Sequence, residues 1–341
     1  MNYLERTRAA CFLHALLNSG VLAGCLIAST AHSGITFQFN YTDSAGTGFL
    51  DPVDGVRRQA ALNTAASEFS NMFGSHFSNT GTIFLDAAAE DMAGALAGAN
   101  TYLMDPGKPG FNLAEVVRTK LQTGIDLNGN NADGAVSVNF SQPWALDVNS
   151  PPTEYSGQYD FYGTLYHELT HTLGFTRGGI TKTGEPLAGS KEAGTWSTFA
   201  SFIVDKHGDK IIDPNTFALN QPGWDVSSIG DYSAGNDGEG LFFDGPNAVA
   251  ANGGYWVTLY TPAPWENGSS IAHLDPDMPG ISGMLMTPAA GTGLQAHGFS
   301  PIEVGMLKDL GYVSAVPEPE TYSMLLAGLA VCGWIARRRQ A

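Results

Sequence analysis

The segment HELTH at positions 167–171 constrains this chain more than any other part of the sequence. Its histidines, His167 and His171, are four residues apart, and side chains at that spacing share one face of an α-helix. Two imidazoles on one helix face can bind a single Zn²⁺, and the carboxylate of Glu168 then lies beside the open coordination position. A carboxylate in that place can accept a proton from water that the metal activates. The segment therefore predicts a helix that carries two zinc ligands and a general base.

The residues around the motif have the spacing of a helix that is buried on one side. We predict a helix from about Gln158 to Leu173, because apolar residues recur at every fourth position: Phe161, Leu165, Leu169 and Leu173. The two histidines lie about 200° around the helix from this stripe, so we expect them to face a cleft. Gly174 follows directly, and glycine readily adopts the left-handed conformation that ends helices.

A catalytic zinc site needs a third protein ligand, and the residues alone leave its identity open. Many zinc peptidases continue the motif as HExxHxxGxxH, but the last position here is Arg177, and arginine has no atom that could bind a cation. The ligand must therefore come from farther along the chain. The candidates are Glu192, which would suit a site with a downstream glutamate, and three histidines, His207, His273 and His297.

Four later segments have recognisable patterns. They are Phe-Asp-Gly-Pro-Asn-Ala at 243–248, the serine-containing segment 268–275 with its histidine, Leu-Met-Thr at 285–287, and a Ser-Pro helix that ends in Asp-Leu-Gly-Tyr at 300–312. Together with the HELTH motif, these segments resemble the leishmanolysin-like metzincins, a family of zinc endopeptidases. The resemblance implies that His273 is the third zinc ligand, that Gly174 is the motif glycine, and that Met286 is the methionine of a turn beneath the zinc.

The same resemblance implies a metzincin-like fold of class α+β. A mixed, twisted sheet and the active-site helix would form the N-terminal lobe. The C-terminal lobe would be irregular and would contain the methionine turn and a C-terminal helix. We accordingly expect residues 34–315 to be a zinc metalloprotease domain, with an N-terminal lobe at 34–175 and a C-terminal lobe at 176–315.

Periodicity in residues 34–315 predicts the individual elements. Alternating apolar residues predict strands at 35–41 and 135–140, and short strands are also predicted around 82–86 and 100–104. Helices are predicted at 54–73, from the helical spacing of its apolar residues, and at 113–121. Shorter strands are predicted at 199–204 and 255–260, a hairpin turn at 205–209, and a helix that starts at Ser300-Pro301 and stops at Gly311.

The loop at 126–134 has oxygen-bearing side chains at alternate positions, like the start of an EF-hand calcium loop. Asn131 stands where that loop requires glycine, and Ser137 stands where it requires glutamate. Calcium is therefore only a secondary candidate as a cofactor, after zinc.

Cysteine usage and charge set further limits. The three cysteines, Cys11, Cys25 and Cys332, all lie outside residues 34–315, so that region has neither a disulfide nor a thiolate ligand. The resemblance to the metzincins therefore does not extend to the family's disulfides or to a pro-segment cysteine that blocks the zinc. The net charge of −17 repels phosphate groups, so we expect no nucleic acid partner.

Both ends of the chain resemble export signals. At 1–33, two arginines precede an apolar stretch and small residues follow it, which predicts a secretory signal peptide. At 316–341, Val-Pro-Glu-Pro-Glu precedes an apolar run at 321–336 and then three arginines. This order resembles the PEP-CTERM sorting signal, which implies a transmembrane segment at 321–336 and processing by an exosortase-type enzyme. A plain tail anchor is the alternative.

We therefore expect an exported protein of the bacterial envelope, outer surface or extracellular matrix, transiently anchored in the membrane by its C-terminal segment. Two functions fit the sequence. The first is a zinc-dependent endopeptidase that hydrolyses protein or peptide substrates with Glu168 as general base. The second is a non-catalytic, zinc-stabilised matrix or adhesion protein. Glu168 favours the first, because a purely structural zinc site needs no general base.

Overall fold

The computed structural model describes residues 34–92, 94–229, 240–288 and 290–315, together with 328–329 and 337–338. Within these residues the chain is mixed α+β, as the sequence predicted. The strands are β1 (Ile35–Tyr41), β2 (Gly81–Ala89), β3 (Ala97–Thr101), β4 (Leu103–Met104), β5 (Ala114–Glu115), β6 (Gly134–Val138), β7 (Trp144–Ala145), β8 (Tyr159–Asp160), β9 (Ala188–Ser190), β10 (Ala193–Thr195), β11 (Ile203–Val204), β12 (Phe242–Phe243) and β13 (Val257–Thr258). The α-helices are α1 (Gly55–His76), α2 (Val116–Thr123), α3 (Phe161–Thr172), α4 (Gln221–Ser227), α5 (Pro246–Ala251) and α6 (Pro301–Asp309).

The largest sheet has four strands in the order β1-β2-β6-β3. Strands β1, β2 and β6 run parallel, whereas β3 is antiparallel to β6 and forms one edge of the sheet. Within β2, Ile83 and Leu85 are fully buried while the residues between and beside them are only half-buried or exposed. Burial follows this period of two because successive side chains of a strand point to opposite faces of the sheet.

Helices α1 and α3 hold the sheet and the motif segment together. Helix α1 packs against β1 and α3, and α3 packs against β3. Phe69 of α1 is fully buried, with its ring 5.9 Å from that of Phe37 in β1 and 6.3 Å from that of Tyr166 in α3. Burying a side chain of this size stabilises the fold by about 1.5–3 kcal/mol. Tyr166 also donates a hydrogen bond to Glu68 of α1. The motif helix is therefore fixed to a rigid support.

Residues 176–315 consist mostly of short elements and turns. Strands β11, β12 and β13 form a small antiparallel sheet, and α5 packs closely on α6. The carboxylate of Asp309 accepts the backbone N–H groups of Asn247 at 3.0 Å and Ala248 at 2.9 Å, so α6 caps the start of α5. At Gly305 a Cβ would lie 2.7 Å from the Cα of Ala248, which explains why glycine is needed at this crossing.

The structure corrects several predicted boundaries. The predicted strand at 199–204 is a 3-10 helix at Phe199–Phe202 followed by β11, and the strand at 255–260 shortens to β13. The predicted strand at 100–104 divides into β3 and β4, and the helix at 113–121 begins only at Val116, after β5. In the predicted strand at 199–204, the Ser201 hydroxyl donates to the Thr198 carbonyl at 2.6 Å, and this local bond competes with strand pairing.

The described residues from Gly34 to Ala315 group into a single compact unit, and the division into lobes at residue 175 stays a prediction. The predicted signal peptide at 1–33 lies outside the described residues. So does the predicted membrane segment at 321–336, apart from residues 328–329. In the part of the chain that the structure describes, no helix has the length and apolar character needed to cross a bilayer.

Candidate metal centre

The motif lies on helix α3, whose start is fixed by a side-chain cap. The carboxylate of Asp160 accepts the backbone N–H groups of Tyr162 at 3.1 Å and Gly163 at 3.2 Å, which satisfies two donors that a helix start otherwise leaves unpaired. The helix therefore begins at Phe161, later than predicted from the apolar stripe. At its other end Gly174 has φ of 95°, and a Cβ there would lie 3.2 Å from the buried carboxylate of Glu115.

The structure brings His167, His171 and His273 together. Their Nε2 atoms are separated by 3.1 Å between the two motif histidines, by 3.0 Å between His167 and His273, and by 3.2 Å between His171 and His273. Among the described residues, these three form the cluster of histidine, cysteine and acidic side chains that could hold a metal ion.

The other ring nitrogen of each histidine determines which tautomer is present. Each Nδ1 lies within hydrogen-bond distance of a backbone carbonyl oxygen, in His167 at 2.6 Å from Leu285, in His171 at 2.6 Å from Phe175, and in His273 at 2.8 Å from Ser269. A carbonyl oxygen only accepts, so each Nδ1 carries the proton and each neutral ring presents an unprotonated Nε2.

Three unprotonated nitrogens cannot hydrogen-bond to one another, but all three can serve as ligands of one shared cation. Zinc bonds histidine nitrogen at about 2.0–2.1 Å in tetrahedral sites, which places ligand nitrogens roughly 3.3 Å apart. The observed separations of 3.0–3.2 Å are close to that value. The donor set and its spacing therefore fit Zn²⁺.

Burial keeps the three rings neutral. His171 and His273 are only 8% and 5% exposed, and His167 is half-buried. Loss of solvation lowers the pKa of His167 to about 4 and that of His171 to about 3, and it holds the pKa of His273 well below 6.5. Neutral imidazole is the form that binds metal, so no proton has to be displaced near neutral pH.

Glu168 lies on the same helix between the two motif histidines and is buried. Loss of solvation raises the pKa of its carboxyl to about 8, and a hydrogen bond from the backbone of Ala99 acts in the opposite direction. Because Ala99 belongs to the edge strand β3, the carboxylate is held between the motif helix and the edge of the sheet.

The backbone of Leu285 contacts the cluster directly, and the backbone of Met286 contacts the residue after His273. The Leu285 carbonyl accepts the Nδ1–H of His167, and the Met286 carbonyl accepts the N–H of Leu274 at 2.8 Å. Met286 itself is fully buried. The segment 285–286 thus connects the motif helix to the third histidine, as the proposed methionine turn would.

The other candidates for the third ligand lie elsewhere. Glu192 is exposed in the turn between β9 and β10, and His207 is exposed in the turn at 205–209. Arg177 is half-buried beyond the end of α3. His297 is bonded to Asp160 at the start of that helix. None of the three other candidates, Glu192, His207 and His297, belongs to the histidine cluster.

The loop considered for calcium contains an ion pair. Lys120 Nζ lies 2.8 Å from Asp126 Oδ2 and 3.0 Å from Asp133 Oδ2. The other Asp126 oxygen accepts the backbone N–H groups of Asn128 and Gly129. The lysine ammonium therefore pairs with both carboxylates and offsets one of their two negative charges. The geometry of this loop gives no support to the calcium hypothesis.

The ion pair of His297 with Asp160 was not evident from the sequence. Their Nε2 and Oδ2 atoms are 2.6 Å apart, and the backbone N–H of Gln295 donates to the same oxygen at 3.0 Å. The hydrogen bond to Asp160 raises the pKa of His297 above 6.5, and the charge of Glu68 acts in the same direction. Burial alone would raise the pKa of Asp160, but the hydrogen bonds from His297 and the backbone lower it below 3.8.

We expect His297→Gln to destabilise the protein most between about pH 4 and pH 6.5. A group whose pKa is raised by folding stabilises the fold at low pH and loses that contribution as the pH rises through its folded-state pKa. Asp160 sets the lower limit, because a carboxyl with a lowered pKa loses its contribution as the pH falls through that value. Denaturant unfolding at about pH 5.5 and about pH 8.5 measures the difference. An equal loss at both values would contradict a charged pair.

Comparison with known proteins identifies the C-terminal tail. The PEP-CTERM protein-sorting motif matches residues 315–340, which confirms the tail predicted at 316–341. The motif implies export, sorting to the cell envelope and recognition by an exosortase-type processing enzyme. No curated protein and no solved structure matches the chain. The resemblance to the metzincins therefore stays a prediction.

Proposed function

We propose that this protein is an exported zinc-dependent endopeptidase with a metzincin-like active site, in which Zn²⁺ is held by His167, His171 and His273. The convergence of three unprotonated Nε2 atoms 3.0–3.2 Å apart carries the proposal. Three protein ligands with one open position is the arrangement of catalytic zinc, whereas structural zinc is closed by four.

Glu168 is the proposed general base. When bound at such a site, zinc lowers the pKa of water from about 15.7 toward 7 and polarises a peptide carbonyl. Glu168 accepts the proton of the attacking water and passes it to the leaving amine. The burial that raises its pKa makes this carboxylate a stronger base than an exposed glutamate. The hydrogen bond from Ala99 holds the carboxylate near the sheet edge, where a substrate would bind.

Strand β3 supports a peptide as the substrate class. It pairs with β6 on one side, and no other described strand pairs with it on the opposite side. An unpaired strand edge can bind an extended peptide through main-chain hydrogen bonds. The residues Ala97, Gly98 and Ala99 have small side chains or none, which leaves room for a second chain. Because β3 packs against α3, a peptide on this edge would pass close to Glu168.

The sorting tail favours a second candidate function, a non-catalytic matrix or adhesion protein whose zinc only stabilises the fold. Tails of this kind direct export and processing, and they specify no chemistry of the domain that precedes them. A buried glutamate between two zinc ligands is the observation against this alternative, since its desolvation costs free energy and a structural site gains nothing from it.

Metal analysis combined with a peptidase assay on the full chain tests the proposal. We expect about one zinc ion per chain and hydrolysis of a denatured protein substrate, lost by at least about 100-fold in chelator and restored by added Zn²⁺. Zinc without any hydrolysis would favour the matrix protein. Hydrolysis that survives complete removal of the metal would contradict both the site and its mechanism.

A further inference from the structure

Glu303 is a fully buried carboxylate that the proposed reaction does not use. Its Oε2 atom accepts the backbone N–H of Ser300 at 2.6 Å, and the Ser300 hydroxyl accepts the backbone N–H of Glu303 at 3.2 Å. This reciprocal pair is a capping box at the start of α6. A capping box occupies only one of the two carboxylate oxygens, so the second oxygen calls for a separate explanation.

The second oxygen, Oε1, accepts the backbone N–H of Met286 at 2.7 Å. Burial raises the pKa of Glu303, and hydrogen bonds from the backbone of Ser300, Met286 and Leu285 oppose that effect. A buried carboxyl is costly unless it is well hydrogen-bonded, and bonds to an ionised acceptor are about twice as strong as neutral ones. These bonds therefore attach the 285–286 segment firmly to α6.

That segment also makes one backbone contact to the histidine cluster and another to the residue that follows His273. The Leu285 carbonyl accepts the Nδ1–H of His167 at 2.6 Å. The Met286 carbonyl accepts the N–H of Leu274 at 2.8 Å, and Leu274 directly follows His273. A shift of the segment would therefore turn the ring of one ligand and move the backbone beside another.

We propose that Glu303 is a positioning residue of the metal centre, which fixes the Leu285-Met286 peptide and through it the orientation of His167 and the place of His273. The inference rests on the proposed zinc site. Groups that orient the ligands of a zinc ion typically contribute 10- to 100-fold to metal affinity. Such groups usually bond directly to the ligand. Glu303 instead bonds to the N–H of the Leu285-Met286 peptide, and the carbonyl of that same peptide accepts the His167 proton.

Glu303→Gln is the direct test. The amide keeps the size of the side chain but replaces one acceptor oxygen with a donor and removes the charge. Either Met286 loses its partner, or it keeps only a weaker bond to a neutral oxygen while Ser300 loses its own. We expect zinc affinity to fall by about 10- to 100-fold, measured by competition with a chelating dye. We also expect a changed visible absorption spectrum of the Co²⁺-loaded protein, because the ligand rings are reoriented.

Ser300→Ala is the matched control. It removes the serine half of the capping box but leaves the bond between Glu303 and Met286 intact. We expect a lower Tm of the metal-free protein, similar to that of Glu303→Gln, with zinc affinity within about threefold of wild type. If Glu303→Gln does not fold, Glu303→Asp replaces it, since aspartate keeps the charge while its shorter chain cannot reach both partners.

Zinc affinities and Co²⁺ spectra that are the same in the glutamate variant, the serine variant and the wild type would overturn the positioning role and leave helix capping alone. A wild-type chain that fails to bind zinc would overturn the proposed function, and the positioning role with it. Because zinc binding is measured without any peptidase assay, the two failures give different results.

Discussion

Glu168→Gln is expected to bind zinc as tightly as the wild-type chain and to hydrolyse peptides at least about 100-fold more slowly, because a positioned general base typically contributes 10²–10⁴-fold to the rate. Glutamine has the same size but cannot accept a proton from water, so water activation is lost while the three imidazoles are untouched. Zinc content per chain and kcat/KM on one peptide substrate measure the two effects separately.

Glu185→Gln is a suitable control, because it removes the same charge from an exposed glutamate outside the cluster. It should retain wild-type zinc content and activity. If Glu168→Gln kept full zinc and lost less than about tenfold in kcat/KM, another group would have to be the base. Loss of zinc together with activity would instead show that Glu168 supports the ligands.

The local part of the site was predictable because helical geometry is local. Four-residue spacing fixes His167 and His171 on one face whatever the rest of the chain does, and the structure places both on α3 with their Nε2 atoms 3.1 Å apart. The stop at Gly174 was also evident from the sequence, since its φ of 95° lies in the region that favours glycine.

The long-range part of the site was not predictable from periodicity. His273 is separated from His171 by 102 positions, and no spacing rule distinguished it from His207 or His297. It was selected by a resemblance to a family, and the structure then placed it in the cluster. The acceptors that fix the three tautomers are backbone carbonyls. Because every residue has a backbone carbonyl, these acceptors could not be predicted from the residue types.

The role of Glu303 could be predicted from the sequence only in part. The sequence predicted that a helix starts at Ser300-Pro301, and the structure shows that Glu303 completes a capping box there. The bond from Met286 to the same carboxylate spans 17 positions and could not be inferred from that helix start. The strand at 35–41 was predicted well because its apolar and polar residues alternate strictly. The short elements in the described part of 176–315 depend instead on distant contacts, such as the one from Asp309 to Asn247.

His273→Ala is expected to weaken zinc binding by on the order of 100- to 1000-fold. Zinc sites with four protein ligands bind with about 10–16 kcal/mol, so one ligand contributes roughly 3–4 kcal/mol, and each 1.4 kcal/mol is tenfold. Peptidase activity should fall with the zinc content. Competition with a chelating dye measures the affinity, and metal analysis after dialysis measures how much zinc stays bound.

Glu192→Ala and His207→Ala are the controls, because both residues were candidates for the same role and both are exposed outside the cluster. Each should keep wild-type zinc affinity. Thermal unfolding in excess chelator separates loss of a ligand from loss of the fold. Without metal, His273→Ala removes one of three crowded, unprotonated nitrogens. Its Tm should therefore be no lower than that of a variant in which a buried uncharged side chain is shortened to alanine. Wild-type affinity in His273→Ala, or weakened binding in Glu192→Ala, would assign the third ligand elsewhere.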